Sequence, residues 1–480
     1  MNRRPLALAA VCWLLAPAGA AAPPQPHQCP TISGPIGPGV SDAVAQRLQE
    51  GQRLSHSDLL ALRSLLPPEI WQNRHVFFYP GMEMMIGDCH RVYAVPEFYR
   101  AASEAHAGEA RLDPERNLEN YTAGLPFPPE SIDLESPQAG AKWAWNLERR
   151  FRGAGPFGNF RLVDILGRAG RSHVYEGFFF FLQTRFRSDL GEENLTVSDA
   201  GGSQWIAGGR FSEPHAARHL AWRQMRPIEA QQRYTTSDET FVYVPTQRKV
   251  RRAATAWVDG VYLPRYTVAG DSGGGGINVG GDLYGGGGLA INPTSALSIQ
   301  QTEHIDRGFT ALALRPNAYI WRVHGEREVL APLNSSRPGF PTSESRNFGP
   351  HGLSVASDRW DVRWAVVIEG KALETNLDHE TIVLYVDWQT QQPLYVVTRA
   401  GRGRILNVGI PVHRYSDDTL NYPTWPGTQR ASVFDPVAEV FYRVADDSGW
   451  RRESYNMRST PADERQRRRF TSTSFLVRGR

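Results

Sequence analysis

From about residue 160 the chain advances in short apolar stretches of period two. The clearest is Val174-Tyr175-Glu176-Gly177-Phe178-Phe179-Phe180-Phe181-Leu182, and comparable runs follow at 239–244, 249–257, 317–324, 360–369, 382–388, 394–399, 404–411 and 433–444. Their apolar members are β-branched or aromatic, as strands prefer. Turn signals such as Asp259-Gly260, Gln391-Gln392-Pro393 and Gly401-Arg402-Gly403 separate them. Strands joined by short turns predict a large antiparallel sheet. Before residue 160 the spacing is helical. Two short helices are expected within 40–70, with Ser41 and Ser57 as N-caps, Leu59, Leu60, Leu62, Leu65 and Leu66 on the apolar face, and an interruption at Pro67-Pro68. A weaker helix is expected over 97–110. Another is expected over 137–152, with Pro137 at its first position and Trp143, Leu147 and Phe151 on one face. Helices first and strands afterwards make the class α+β.

The N-terminus reads as an address. Arg3 and Arg4 precede the apolar run from Leu6 to Leu15, and Ala18-Gly19-Ala20 or Ala20-Ala21-Ala22 supplies a small-residue cleavage site. This run is too short to span a bilayer. Cys12 is not framed as a lipoprotein cysteine, since Val11 precedes it. The organisation expected is a signal peptide over 1–22, a helical and Pro-rich segment over 23–136, a sheet domain over 137–450 and a basic tail over 451–480. With the leader removed, Cys29 and Cys89 are the two cysteines left. In an exported protein they suggest one disulfide, with a pair of free thiols as the alternative.

Charge narrows the partners. There are 53 Lys+Arg against 50 Asp+Glu in 480 residues, a balance that argues against a nucleic-acid binder. Lysine is confined to Lys142, Lys249 and Lys371. The densest basic tract is Arg248-Lys249-Val250-Arg251-Arg252. On a strand Arg248 and Arg252 share one side, where they suit either a charged, solvated edge or an anionic partner. The tail carries nine Arg from Arg451 onward and is expected to be solvated.

Catalytic and cofactor signatures are thin. The glycine runs within 270–288 lack the Gly-Lys-Ser/Thr of a phosphate loop and read as a surface loop. His215 and His219, four apart, lack the intervening Glu and third ligand of a zinc site. Gly-x-Ser-x-Gly is absent, and no carboxylate pair is marked as acid and base. No catalytic residue, metal or cofactor is expected. The aromatic residues are the more informative feature: Phe178 to Phe181 put rings on both faces of one strand, and one face must pack on something besides water, whether helices, a second sheet or a ligand, with plain core packing set against an apolar ligand cavity.

Four stretches together resemble a known family. They are Ser64-Leu65-Leu66-Pro67-Pro68-Glu69-Ile70-Trp71, Asn120-Tyr121-Thr122-Ala123-Gly124-Leu125-Pro126-Phe127-Pro128, Pro137-Gln138-Ala139-Gly140-Ala141-Lys142-Trp143-Ala144-Trp145-Asn146, and Val242-Tyr243-Val244-Pro245 leading into the basic tract. The pattern resembles domain-of-unknown-function family 1329, exported proteins of Gram-negative bacteria grouped with the LolA/LolB lipoprotein-sorting fold. That resemblance implies a strongly curved antiparallel sheet, an incomplete barrel, with helices on its concave face and room there for acyl chains. It carries no catalytic residues. The expected function is a periplasmic, non-enzymatic carrier or accessory protein that binds lipid or another hydrophobic ligand. Its location would be the periplasm, with peripheral attachment to the outer membrane as a variant. The rival readings are an interaction module of an envelope transport system and a hydrolase of an envelope component. Candidate lining residues are Trp143, Trp145, Phe178, Phe180, Tyr243 and Trp364, with Arg248 and Arg252 near a lipid headgroup.

Overall fold

The computed structural model describes residues 23–33, 45–166, 171–190, 201–245, 248–252, 260, 264–268, 297–301, 313–337, 339, 348–374, 379–446, 449–459, 469–472 and 474–477. The expected leader, the cap at Ser41 and the glycine-rich 270–288 lie outside them. Fifteen strands form one sheet. They are β1 (Arg53–Ser55), β2 (Glu83–Cys89), β3 (Phe157–Leu166), β4 (Arg171–Gln183), β5 (Ser203–Glu213), β6 (Ala221–Pro227), β7 (Glu239–Val244) and β8 (Lys249–Arg252). After these come β9 (Tyr319–Ala331), β10 (Arg359–Ala372), β11 (Thr381–Asp387), β12 (Pro393–Arg399), β13 (Ile405–Tyr415), β14 (Phe434–Arg443) and β15 (Gly449–Arg458). Their order is β8-β7-β6-β5-β4-β3-β15-β14-β13-β12-β11-β10-β2-β1, with β9 on the other side of β10. The pairing is antiparallel except between β10 and β2, and the two ends of the path do not meet, so the sheet is open.

Two expected boundaries dissolve in this topology. Residues beyond 450 do not begin a free tail: β15 lies inside the sheet between β3 and β14, with Trp450 opposite both Ile165 and Tyr442. Arg451, read from sequence as part of a basic run, is buried and paired with Glu453 at 2.8 Å. Residues 23–136 are not set apart either, because β2 joins β10. The disulfide between Cys29 and Cys89, with Cα atoms 5.1 Å apart, fastens the first described segment to the end of β2.

The helices are short: a 3-10 segment His56–Leu65, then α1 (Pro68–Gln72), α2 (Arg74–Phe77), α3 (Glu97–Ala105), α4 (Ala139–Arg149) and α5 (Ser474–Val477). The N-cap of the 3-10 segment is Ser55 rather than Ser57, and the Asp58 carboxylate accepts the Ser55 N–H at 2.7 Å. Upstream, Ala45–Arg47 is extended and paired with Thr31–Ser33 where a helix was expected.

Period two in β10, β11 and β12 sorts their apolar residues onto two packed faces. Val366, Ile368, Ile382, Leu384, Val386 and Val396 meet α4 through Trp143, Trp145 and Leu147. Val367, Val383, Tyr385 and Val397 face the opposite way, into a core shared with Leu62, Leu65, Ile70 and Phe77. Helical segments therefore cover both faces here rather than one. Each face removes several large side chains from water, at roughly 1.5–3 kcal/mol apiece before conformational entropy.

The aromatic run on β4 follows the same rule. Phe179 and Phe181 enter a core with Trp205 and Trp222, whereas Phe178 and Phe180 turn to the other side. There they meet Phe470, Phe475 and Leu476. Part of the expected solvated tail is thus the cover of that face.

Candidate functional site

The two Pro- and Trp-containing motifs meet in space. Phe127 is fixed by Asn146 on α4: its N–H donates to Asn146 Oδ1 at 3.1 Å, and Asn146 Nδ2 donates to its carbonyl at 2.5 Å. Flanking prolines hold the backbone of Phe127 extended and remove the neighbouring N–H donors. The preceding turn is tied to α3, where Ser103 Oγ accepts the Leu125 N–H at 2.9 Å. Gly124 sits at φ +78, and a Cβ there would fall 2.5 Å from the Ser103 nitrogen, so glycine is required on both counts. Tyr121 closes the turn by donating to the Gly124 carbonyl at 2.8 Å. Burial pushes its phenol up to about 12, against the opposing pull of Arg149.

On α4, Gly140 lets the helix approach β9, for a Cβ would lie 2.9 Å from Trp321 Cβ and 3.0 Å from the Arg322 nitrogen. Trp145 Nε1 donates to the Arg116 carbonyl at 2.9 Å. Arg149 is buried between neutral partners: Nη2 donates to the side-chain carbonyls of Gln204 and Gln231, both at 2.9 Å, and its guanidinium lies 4.6 Å from the Phe186 ring centre. Burial holds its pKa below the usual arginine value.

These motifs, together with residues 107–112, border an open pocket of about 580 Å³, within the size range of small-molecule sites. Its apolar wall is Ala110, Leu112, Pro126, Phe127 and Pro128, and its charged groups are Arg111 and Lys142, with Ser131 and Gln138 beside them. No lining residue is acidic. Lys142 Nζ lies 5.7 Å from the Phe127 ring centre, and neither Lys142 nor Arg111 forms an ion pair among the described residues. An apolar floor under two cations suits a molecule with a hydrocarbon or ring body and one anionic group.

The residues expected to line a cavity separate into groups. Trp143 and Trp145 are core residues, 0% and 2% exposed, so the space between α4 and the sheet is filled by the chain itself. Trp364 lies on the same sheet face by alternation with Val366 and Ile368. Phe178, Phe180 and Tyr243 share a different face, in the β3–β8 half of the sheet. Cross-strand register carries that face from Phe157 through Phe180, Gly208, Arg223 and Phe241 to Arg252. Arg248, at φ +51 in the turn before β8, and Arg252 are exposed, and Arg252 pairs with Glu239 at 2.9 Å. His215 and His219 share no helix, because a 3-10 turn ends at Ala217 and His219 takes φ +71. Among the described residues, one cluster of three candidate metal ligands is close enough to count, Cys29, Glu50 and Cys89, and its sulfurs are joined in the disulfide. Lys142 and Phe127 were visible in the motifs. Arg111 and Leu112 were not, because only a short hairpin with Leu118–Glu119 brings them to the pocket.

The molecule is an open, predominantly antiparallel sheet with helical segments on both faces and a cationic apolar pocket beside α4. Residues 64–265 match the family described as Protein of unknown function (DUF1329), which includes all four motif stretches and bears out the family resemblance. No curated protein matches the chain. Similar solved structures include a DUF1329 family protein from Desulfovibrio piger, at 12% identity and TM-score 0.39, covering 71% of this chain and 98% of that one. A LolA superfamily protein from Nitrosomonas europaea is similar at 10% identity and TM-score 0.31, covering 71% of this chain and 99% of that one. At these values no residue role passes from them to this chain. No helix among the described residues is long and apolar enough to cross a membrane.

Proposed function

We propose that the protein is a non-enzymatic carrier or accessory protein of the Gram-negative envelope, exported to the periplasm, that binds a lipid or other hydrophobic molecule bearing an anionic group. The observation that carries this is the pocket bordered by the two motifs and residues 107–112, whose lining combines an apolar wall with Lys142 and Arg111 and holds no carboxylate. Burying hydrocarbon against Leu112, Phe127 and the prolines contributes about 0.8 kcal/mol per CH₂. An anion at Lys142 adds a charge-assisted contact that selects the head of the ligand. The leader-like N-terminus and the Cys29–Cys89 disulfide support export. The test is native mass spectrometry of protein purified from its own periplasm, together with titration of a fluorescent fatty acid. The expected result is a co-purifying amphiphile or saturable uptake that Lys142→Met weakens. Absence of both in the folded wild-type protein overturns the reading.

A further inference from the structure

The face of β4–β7 that holds Phe178, Phe180 and Tyr243 is covered by the chain's own C-terminal residues in a manner specific to peptide. Phe470 stacks on Phe180, with ring centres 4.6 Å apart and planes 8° from parallel, and Phe475 meets the same ring edge-on at 5.2 Å. Gly208 lies opposite Phe180 in the register, and Phe180 Cε1 is 3.2 Å from where a Cβ at Gly208 would stand, so the missing side chain leaves room for the ring. Two arginines then hold the segment by its main chain. Arg210 Nη2 donates to the Phe475 carbonyl and Arg223 Nη1 donates to the Thr471 carbonyl. Neither arginine forms an ion pair among the described residues. Burial pulls both guanidinium pKa values down.

The chemistry of this face distinguishes peptide from hydrocarbon. A guanidinium that is half-buried, as at Arg210, or buried, as at Arg223, needs acceptors, and removing them leaves a costly unsatisfied donor. An alkyl chain offers none, whereas a peptide offers a carbonyl at every residue. The carbonyls used are four residues apart, and Phe475, which meets Phe180, also lies under the Arg210 guanidinium, which is 5.3 Å from the ring centre. The same face continues past the segment into a cavity of about 430 Å³ bordered by Phe178, Arg210 and His219. None of the described residues of the segment, 469–472 and 474–477, lines that cavity.

We propose that this face is a peptide-binding groove which the C-terminal segment fills in cis, and that its partner in trans is a peptide with aromatic side chains five positions apart followed by an aliphatic one, as in Phe470, Phe475 and Leu476. The groove is separate from the pocket at Lys142 and stands whether or not that pocket binds lipid. Tethering gives the cis segment a high effective concentration, so the intact chain is expected to bind such a peptide poorly.

The test begins from the full folded chain with a protease site inserted between Ser459 and Arg469. After cleavage, a fluorescent peptide of residues 469–477 is titrated, with circular dichroism and thermal melting run in parallel. Exchange of the labelled peptide into the cut protein, with at least tenfold weaker binding of the peptide carrying F470A and F475A and at least tenfold weaker binding to the uncut chain, supports the groove. Release of the segment with no entry of peptide into a still-folded protein overturns it. Displacement of the bound labelled peptide by a fatty acid, measured in the Lys142→Met background so that the other pocket does not report, also overturns it. Should the cut protein unfold, the uncut F470A/F475A chain provides the second test. It is expected to bind the wild-type peptide at least tenfold more tightly than the wild-type chain does, and equal binding overturns the proposal.

Discussion

The side-chain amide of Asn146 brackets the peptide unit of Phe127, accepting from its N–H at 3.1 Å and donating to its carbonyl at 2.5 Å. Both residues are buried, and the neighbouring prolines leave no alternative donors beside them. Asn146→Ala strands one buried donor and one buried acceptor. The expected loss is about 2–4 kcal/mol of unfolding free energy, measured by urea denaturation, with weaker uptake of amphiphile at the pocket the bracket shapes. An unchanged denaturation midpoint would show that the bracket is not a structural tie.

Lys142→Met keeps the apolar stem and removes the charge. Binding of an anionic amphiphile is expected to weaken about tenfold, roughly one charge-assisted contact. Binding of an uncharged amphiphile of equal length should stay within a factor of two to three. Isothermal titration of the two ligands at low and high salt separates these outcomes. Equal losses for both would mean that the cation does not read the head.

Gly140 is a point of close approach between α4 and β9, where an added Cβ would lie 2.9 Å from Trp321 Cβ. Gly140→Val forces branched carbons into Trp321, with an expected cost of about 1–3 kcal/mol from overpacking. The fluorescence of the Trp321 region should shift with it. A variant as stable as wild type would mean that α4 can ride outward at no cost.

Asp435 carries a pH prediction. Its carboxylate accepts from Ser459 Oγ at 2.6 Å and from the Tyr422 hydroxyl at 2.5 Å, yet burial dominates and pushes its pKa up to about 7. Between the ordinary carboxylate value near 4 and pH 7, the folded state holds this proton more tightly than the unfolded one. Asp435 therefore makes stability fall as pH rises through that window, with no further change above it. Melting temperatures taken from pH 4 to pH 8 should show this slope reduced in Asp435→Asn. An identical slope in the variant would assign the dependence to other groups.

Reducing the Cys29–Cys89 bond opens a loop closed across a sequence separation of 60. In the chain-entropy account the loss is about 4 kcal/mol. Denaturation with and without reductant, and of Cys89→Ser, should agree. A midpoint indifferent to reductant would mean that the N-terminal segment holds to β2 without it.

The sheet was legible where polar and apolar positions alternate and where turns are marked, as at 239–244 and 382–388. β5 and β6 were hidden because their register tolerates buried polar residues: Arg223, Gln224 and Arg226 are all buried, and Gly208 and Gly209 interrupt the apolar pattern. β15 was hidden by its arginines, whose charge is met only in the folded strand: Arg451 by Glu453 two residues along it, and Arg452 by the carbonyl of distant Gly352. The site was legible in part. The motifs containing Phe127 and Lys142 were recognisable, but tryptophans at helical spacing indicate burial without saying what buries them, and Trp143 and Trp145 proved to be core. The Phe178 to Phe181 run called for something besides water against one face, and Phe178 and Phe180 do meet such a cover. That the cover is residues 470–476 could not be read from a stretch that looked basic and solvated.

β3 is complete when residue 166 has been made, but its partner on one side is β15, which ends at Arg458. Until those last residues arrive, the nascent molecule consists of two fragments, each presenting a bare row of main-chain donors and acceptors at the seam. Such rows template promiscuous pairing. A ribosome-stalled or prematurely stopped chain ending before Gly449 should therefore aggregate rather than accumulate as a smaller soluble domain, and escorting factors that shield unpaired strands would matter most during that interval.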